Sequence, residues 1–175
     1  MEDTPFLDVG LGEKIHIQEL NRVVSSDASI DVAISSFTVI DLDEDGIDEV
    51  ILWLAAGEEK VGCEILHGVN DEIYGYFIPY RGFYNLKADG TFRFSSGAGN
   101  SGIGTIKFDL QAYTVEKITY SETQYDERNQ AEASFVVNGH ASLYEDFEAE
   151  MEKQDEKKDA ETYAFTDDHV EKYLS

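Results

Sequence analysis

The sequence predicts an α+β protein, an antiparallel meander sheet of about six to eight strands with an N-terminal helix and C-terminal helices packed on it. Three observations support this fold class. Segments with strand-like alternation follow one another through the middle of the chain, and short turns join them. Helical spacing of apolar residues occurs only near the two ends. Connections of hairpin length leave little room for parallel crossovers.

The length of 175 residues and the 42% of hydrophobic residues predict one globular domain with a core of its own. Within it, residues 1–10 are expected to be a loose lead-in. Residues 11–137 are expected to hold a helix and the sheet, and residues 138–175 the C-terminal helices.

The first helix is predicted over residues 11–26, because Ile17, Leu20, Val23 and Val24 fall on one helical face. Strands are predicted at 34–41 and 49–56, and the second of these is apolar on both faces, which indicates a central position. Asp89-Gly90 marks a hairpin turn. The remaining strands are predicted at 61–67, 73–80, 82–86, 91–94, 104–110, 113–120 and 133–137.

A second helix is expected after Ser142, because Ser142-x-x-Glu145 has the pattern of a capping box. Its apolar stripe ends at Met151, and like charges four residues apart follow, so the helix should fray after about residue 156. Thr166 is expected to cap a short final helix.

Charge excludes several functions. The chain carries 13 Lys and Arg against 37 Asp and Glu, a formal net charge of −24. Such a field repels phosphate backbones and anionic membrane surfaces, so nucleic-acid binding is not expected. No apolar stretch is long enough for a transmembrane helix. The single cysteine, Cys63, lies in an apolar run and is expected to be buried and inert.

The most specific chemical pattern is Asp41-Leu-Asp-Glu-Asp-Gly-Ile-Asp-Glu49. Asp41, Asp43 and Asp45 alternate, so three carboxylates can converge on one cation. Gly46 should allow a sharp turn where a Cβ would clash. Ile47 can offer its backbone carbonyl, and Glu49 can complete the shell directly or through a water. The pattern predicts a Ca²⁺ site, and an acidic turn that stays in water is the alternative.

The loop differs from an EF-hand in two ways. The segments on both sides of it have the pattern of strands, and its twelfth position is Leu52, where an EF-hand needs a bidentate Glu. An Asp-x-Asp-x-Asp-Gly-x-x-Glu loop running into an apolar strand resembles the calcium sites of FG-GAP repeats in integrin-like propellers. A single loop cannot make a propeller, so the resemblance is limited to the site.

A wider resemblance covers about three quarters of the chain. Its segments are FTVIDLDEDGIDEVILWL at 37–54, a tyrosine-rich strand with Tyr-Arg-Gly, Asp-Gly and Ser-Ser-Gly-Ala turns at 73–108, and FVVNGHASLYEDFEAEM at 135–151. In this order of motifs the chain resembles a family of secreted lipoproteins of unknown function from Gram-positive gut bacteria. The resemblance implies export and anchoring at the cell surface, and it implies no reaction.

A second candidate binding surface is aromatic. Tyr74, Tyr76 and Tyr80 alternate in one predicted strand and share a face. They can form a stacking platform for sugars or peptide side chains, or a half-buried sheet face under a helix. Arg81 can bind a carboxylate or anchor the adjacent turn.

These observations favour an extracytoplasmic calcium-binding domain that is not catalytic and that binds a protein or glycan at the cell surface. One alternative is a hydrolase of an extracellular polymer, which would need a carboxylate pair in a cleft. A structural or assembly module is the other. No Ser, His or Cys pattern of a known catalytic site is present in the sequence.

Overall fold

The computed structural model of the chain describes residues 4–25, 30–97, 99–125 and 128–174. These residues divide into two compact units. The first comprises the described residues of Met1–Tyr80, Phe108–Tyr113 and Glu161–Ser175, and the second those of Arg81–Lys107 and Thr114–Ala160. The strands are β1 (Phe6–Asp8), β2 (Glu13–Ile15), β3 (Ala33–Ile40), β4 (Glu49–Ala56), β5 (Glu59–Val69), β6 (Glu72–Pro79), β7 (Phe92–Gly97), β8 (Asn100–Phe108), β9 (Tyr113–Tyr125), β10 (Ala131–Val137), β11 (His140–Ser142) and β12 (Tyr163–Ala164), and the helices are α1 (Asn21–Val24), α2 (Tyr144–Glu156) and α3 (Asp167–Tyr173).

The first unit contains a mixed sheet in the order β12-β3-β4-β5-β6-β1-β2. Strands β3 to β6 form the predicted antiparallel meander, and β4 has β3 and β5 as its neighbours, which confirms its central position. The α+β class holds broadly, but the sheet is not a simple meander. Strand β1 pairs in parallel with β6, with Leu7 opposite Tyr74 and Asp8 opposite Gly75.

The expectation of a loose lead-in at residues 1–10 is wrong for its described part. Phe6 and Asp8 are each only 1% exposed, since β1 lies between β6 and β2. A three-residue strand that is buried by pairing at both edges has too short a pattern to be recognised from alternation alone.

The helix predicted over residues 11–26 is also wrong. The segment begins with β2, continues as a 3-10 turn at Ile17–Glu19 and ends with the single turn α1. The apolar residues that suggested a helix do face the core, where Leu20 is buried and Val23 and Val24 are half-buried. The tertiary contacts therefore use these side chains without a continuous helix.

One face of the mixed sheet carries the core of the first unit. Its buried residues come from the sheet, the N-terminal segment and α3, and they are Phe6, Ile15, Leu20, Phe37, Leu52, Leu54 and Val170. Thr166 precedes α3 as predicted, although its side chain makes no capping hydrogen bond to any described residue.

The second unit contains an antiparallel sheet in the order β11-β10-β9-β8-β7. Helix α2 packs against it, with Phe147 and Met151 buried beside Ile103. The helix ends at Glu156, close to the predicted limit. The capping box was wrong, because Ser142 ends strand β11 and its hydroxyl donates to the carbonyl of His140.

Candidate metal centre

The acidic loop joins β3 to β4 at the point where the two strands pair. Ile40, the last residue of β3, lies opposite Glu49, the first residue of β4. The loop therefore leaves and re-enters the sheet at adjacent positions. Leu42 is buried and holds the start of the loop against the protein.

Two residues in the loop have left-handed backbone conformations, Glu44 at φ 63° and Gly46 at φ 88°. A Cβ built at Gly46 would meet no described atom within 4 Å, so the expected clash is absent. Glycine is favoured there because other residues adopt this φ only with strain. The turn lets the loop fold back on its own carboxylates.

Two of the carboxylates hold the loop by accepting backbone hydrogen bonds. The Gly46 N–H donates to Asp41 Oδ2 at 3.0 Å, and the Ile47 N–H donates to Asp45 Oδ1 at 2.8 Å. Each aspartate thus has one oxygen fixed by the backbone. This local network orients the side chains without using all of their acceptors.

Asp41 Oδ1 and Asp43 Oδ1 are buried, and no donor among the described residues reaches either atom. A buried carboxylate oxygen without a partner loses its hydration without compensation. The two atoms belong to the same three-residue run, so the cost is concentrated at one place. A cation bound between them would supply the missing interaction.

The carboxylates that were predicted as ligands lie close together. Asp41, Asp43 and Glu49 each offer a carboxylate oxygen within 4.8 Å of the others, and in a second group a ring nitrogen of His67 lies within the same distance of oxygens of Asp43 and Asp45. Two ligands on opposite sides of a Ca²⁺ ion are at most about 5 Å apart, so either group fits within one coordination shell. The Ile47 side chain is 51% exposed, and ligation by its carbonyl stays a prediction.

Glu49 differs from the other acids because it is fully buried and both its oxygens have partners. The Leu42 N–H donates to Oε2 at 2.7 Å, and His67 Nδ1 lies 2.8 Å from Oε1. Burial raises the pKa of Glu49, and the hydrogen bonds from His67 and Leu42 oppose that rise. Glu49 therefore ties the loop to the sheet, and its contact with an ion can be direct or through a water.

The sequence analysis did not identify His67 as part of this centre, because His67 lies 18 positions from Glu49 in the sequence. Antiparallel pairing of β4 and β5 puts Val50 opposite Leu66, which brings the neighbouring His67 beside Glu49. The ring stacks on Phe108, with centroids 4.8 Å apart. The pattern that could have revealed His67 is the hairpin register, counted back from the turn between β4 and β5.

The three tyrosines of the second candidate surface do not share one exposed face. Tyr76 is only 2% exposed, and its hydroxyl donates to the carbonyl of Asp109 at 2.6 Å. Tyr74 is half-buried. Tyr80 is 41% exposed but follows the end of β6, in a 3-10 turn. The ring of Tyr76 is therefore buried, whereas a stacking platform needs a ring that is exposed to the ligand.

Arg81 was given two roles, carboxylate binding and anchoring of a turn. Its Nη2 donates to Ser95 Oγ at 3.1 Å, within the second unit. This contact fits the anchoring role. The side chain is exposed.

No helix in the part of the chain that the structure describes is long and apolar enough to cross a membrane. Comparisons with protein-family models, with curated proteins and with solved structures found no match.

Proposed function

We propose that this chain is an extracytoplasmic, non-catalytic domain that binds one Ca²⁺ ion in the 41–49 loop. Asp41, Asp43 and Asp45 supply carboxylate oxygens, Ile47 its carbonyl, and Glu49 an oxygen directly or through a water. The bound ion stabilises the junction of β3 and β4. The domain then presents its surface to a protein or glycan at the cell surface.

The observation that carries the proposal is the pair of buried, unpartnered oxygens, Asp41 Oδ1 and Asp43 Oδ1, which no donor in the described residues contacts. Six of the nine loop residues are acidic, so the loop also repels itself without a counter-ion. A divalent cation removes both costs. Carboxylate and carbonyl oxygens are the ligands that Ca²⁺ prefers, and its flexible coordination geometry suits a surface loop.

The His67 imidazole beside Asp43 and Asp45 gives the centre a nitrogen atom as well. Imidazole suits Zn²⁺ better than Ca²⁺, whereas Mn²⁺ shares the preference of Ca²⁺ for carboxylate and carbonyl oxygens. His67 Nδ1 already contacts Glu49, however, and this contact supports a role for the ring in orienting that carboxylate. Ca²⁺ is therefore the proposed ion, and Mn²⁺ and Zn²⁺ are its competitors in the test.

Binding of the ion only to the folded state raises the free energy of unfolding by RT ln(1 + [L]/Kd). This amounts to roughly 1.5–3 kcal/mol at a tenfold to hundredfold excess over Kd. A site of this kind can have a Kd on the order of 10⁻⁴–10⁻³ M, which suits the calcium-rich surroundings of an extracellular module. The resemblance to secreted lipoproteins supports the same location.

The test is thermal unfolding with chelator and with increasing Ca²⁺, Mn²⁺ or Zn²⁺, combined with calorimetric titration. The wild type should gain stability with Ca²⁺ at a stoichiometry of one. Asp43→Ala should lose the gain. Asp48→Asn is the matched control, since Asp48 lies in the same loop, is exposed and is outside the proposed ligand set.

Absence of any Ca²⁺-dependent shift in the wild type would overturn the proposal, and so would an equal shift in Asp43→Ala. A larger shift with Mn²⁺ or Zn²⁺ than with Ca²⁺ would reassign the ion. Binding to a glycan array, with calcium and with chelator, then tests the proposed surface role. If no glycan binds under either condition, the proposed partner at the cell surface is a protein.

A further inference from the structure

A second pair of acids lies inside the first unit, away from the loop. Asp8 on β1 is 1% exposed, and Glu64 on β5 is fully buried. Strand β6 separates them, and its Gly75 lies opposite Asp8 on one side and opposite Leu66 on the other. Because residues 64 and 66 of a strand share a face, Asp8, Gly75 and Glu64 are on the same face of the sheet.

Gly75 makes the contact between the two acids possible. A Cβ at this position would overlap Glu64 Oε1 and the ring of Phe6. The Glu64 carboxyl therefore lies over the bare backbone of β6 and reaches towards Asp8. Any larger residue at position 75 would occupy the space that the carboxyl uses.

The carboxyls of Asp8 and Glu64 contact each other. Asp8 Oδ1 accepts the Leu11 N–H at 2.5 Å. Asp8 Oδ2 and both oxygens of Glu64 are buried, and apart from the contact between the two carboxyls they have no hydrogen-bond partner among the described residues. Burial, followed by the charge of Asp8, raises the pKa of Glu64 to about 9. Near neutral pH the buried Glu64 therefore holds its proton.

Asp8 also forms part of the wall of a cavity of about 420 Å³ within the first unit. Most of the wall is apolar or aromatic, including Leu11, Val23, Phe77 and Tyr113. A cavity of this size accommodates a small organic molecule. The cavity therefore combines an apolar wall with one buried carboxylate, and both features restrict which ligands can bind.

Another part of the wall is built by a turn that hydrogen bonds hold in place. Asp109 Oδ1 accepts the N–H groups of Gln111 and Ala112, at 2.7 and 2.9 Å. The carbonyl of Asp109 accepts the hydroxyl of Tyr76. Gln111, Ala112 and Tyr76 all line the cavity, so its shape is set by hydrogen bonds within the unit.

Charge complementarity selects the class of ligand. An anion would meet the charge of Asp8 and the field of a chain with a net charge of −24. A neutral apolar molecule would fill the cavity but would bring no positive charge to the buried Asp8 carboxylate. An ammonium group supplies both a donor and a compensating charge, and an apolar body fits against Phe77 and Tyr113.

We propose that this cavity binds a small organic cation, an ammonium group on an apolar or aromatic body, with the ammonium on Asp8. Glu64 is a positioning residue in this site, since it contacts Asp8 and is outside the cavity wall. The site is independent of the calcium loop, because no residue of the loop lines the cavity.

The experiment uses three probes of similar size, 2-phenylethylammonium, 2-phenylethanol and 3-phenylpropanoate. Each is titrated calorimetrically into the full chain at pH 7, once with Ca²⁺ and once with chelator. The ammonium should bind at one site per chain, and at least about tenfold more tightly than the alcohol, since a charged hydrogen bond is the difference between them. The carboxylate should not bind.

Asp8→Asn should weaken binding of the ammonium at least about tenfold and leave binding of the alcohol nearly unchanged. Asp31→Asn is the matched control, because it removes the same charge from an exposed position. Ala112→Phe adds bulk at an exposed residue of the wall, and it should abolish binding of both probes without depending on the buried acids.

Equal affinity for the ammonium and the alcohol would overturn the charge assignment, and failure of all three probes to bind would overturn the site. An ammonium affinity that is unchanged in Ala112→Phe would place binding elsewhere on the acidic surface, which also refutes the proposal. If Asp8→Asn does not fold, the comparison of the three probes and the Ala112→Phe variant still test whether the cavity binds an organic cation. Loss of calcium binding would not affect any of these outcomes.

Discussion

The acidic loop and the Asp8–Glu64 pair are two solutions to the same electrostatic problem. Both bring carboxylates together in places where water is excluded from some of their oxygens. In the loop the acids are neighbours in sequence and several of them stay partly exposed. In the core the two acids come from different strands and both are buried.

The difference in exposure decides which positive species can compensate the charge. The loop offers several convergent oxygens at the surface, where a hydrated divalent ion can exchange. In the core pair burial raises the pKa of Glu64, so a proton on Glu64 removes one of the two negative charges. Metal concentration should therefore control the loop, and pH should control the core pair.

The largest expected effect is the pH dependence of the core pair. The folded protein holds the Glu64 proton up to about pH 9, whereas the unfolded chain releases it near the ordinary pKa of 4.5. The unfolded state thus binds fewer protons across this window, and the free energy of unfolding should fall as pH rises, by about 1.4 kcal/mol per pH unit. Urea unfolding of wild type and Glu64→Gln between pH 5 and 9 measures the slope.

Glu64→Gln should lack this slope and become the more stable form at alkaline pH. Glu58→Gln, at an exposed turn, should follow the wild type. Parallel pH profiles for wild type and Glu64→Gln would contradict the protonated pair. The same profiles measured with Ca²⁺ and with chelator should differ only by a constant offset if the two acidic clusters are independent.

A second effect concerns the room that Gly75 provides. Gly75→Ala should lower the free energy of unfolding by about 3 kcal/mol, because the new methyl group would overlap Glu64 and Phe6. Gly68→Ala is the control on β5, where a Cβ would meet no described atom within 4 Å. Urea unfolding compares the two variants, and equal losses would show that the carboxyl does not depend on the bare backbone.

A third effect sharpens the role of His67 in the loop. His67→Leu removes the partner of the buried Glu49 Oε1 and should lower the free energy of unfolding by about 2 kcal/mol in chelator. His67→Gln keeps a donor and should recover part of the loss. Chemical unfolding without metal measures both. If His67→Leu were as stable as wild type, the contact with Glu49 would not support the loop.

The smallest expected effect is on the backbone of the loop. Gly46→Ala should cost about 1 kcal/mol, because alanine is strained at φ 88°. Gly46→Asn should cost less, since asparagine tolerates this conformation better. Thermal unfolding with saturating Ca²⁺ compares them. Equal stability of the two variants and the wild type would show that the loop relaxes to another backbone path.

The sequence predicted the loop and its two strands because their information is local. Alternating acids, the glycine and the flanking apolar runs lie within a short segment, and β3 and β4 formed close to the predicted limits. Asp41 and Asp43 could therefore be named as neighbours in space. The reason for Gly46 was misjudged, because the conformation of the backbone, and not contact with a neighbour, requires glycine there.

Strands β1 and β2 escaped prediction because their stability comes from partners far along the chain. Phe6 to Asp8 are strand residues only because β6 accepts them in parallel, and Glu13 to Ile15 only because β1 is already there. Both strands are short, and the helical spacing of the residues after β2 favoured a helix there. The same distance in sequence hid the contacts of Asp8 with Glu64 and of His67 with Glu49.

By itself the sequence determined the acidic character, the loop between two strands and the identity of the loop carboxylates, since each of these depends on neighbouring residues. Only the tertiary structure decided that β1 joins β6 in parallel, that Gly75 leaves room for Glu64, and that Asp8 lines a cavity. The physical reason is that strand pairing brings together residues that no local pattern connects. Burial then changes the chemistry of those residues.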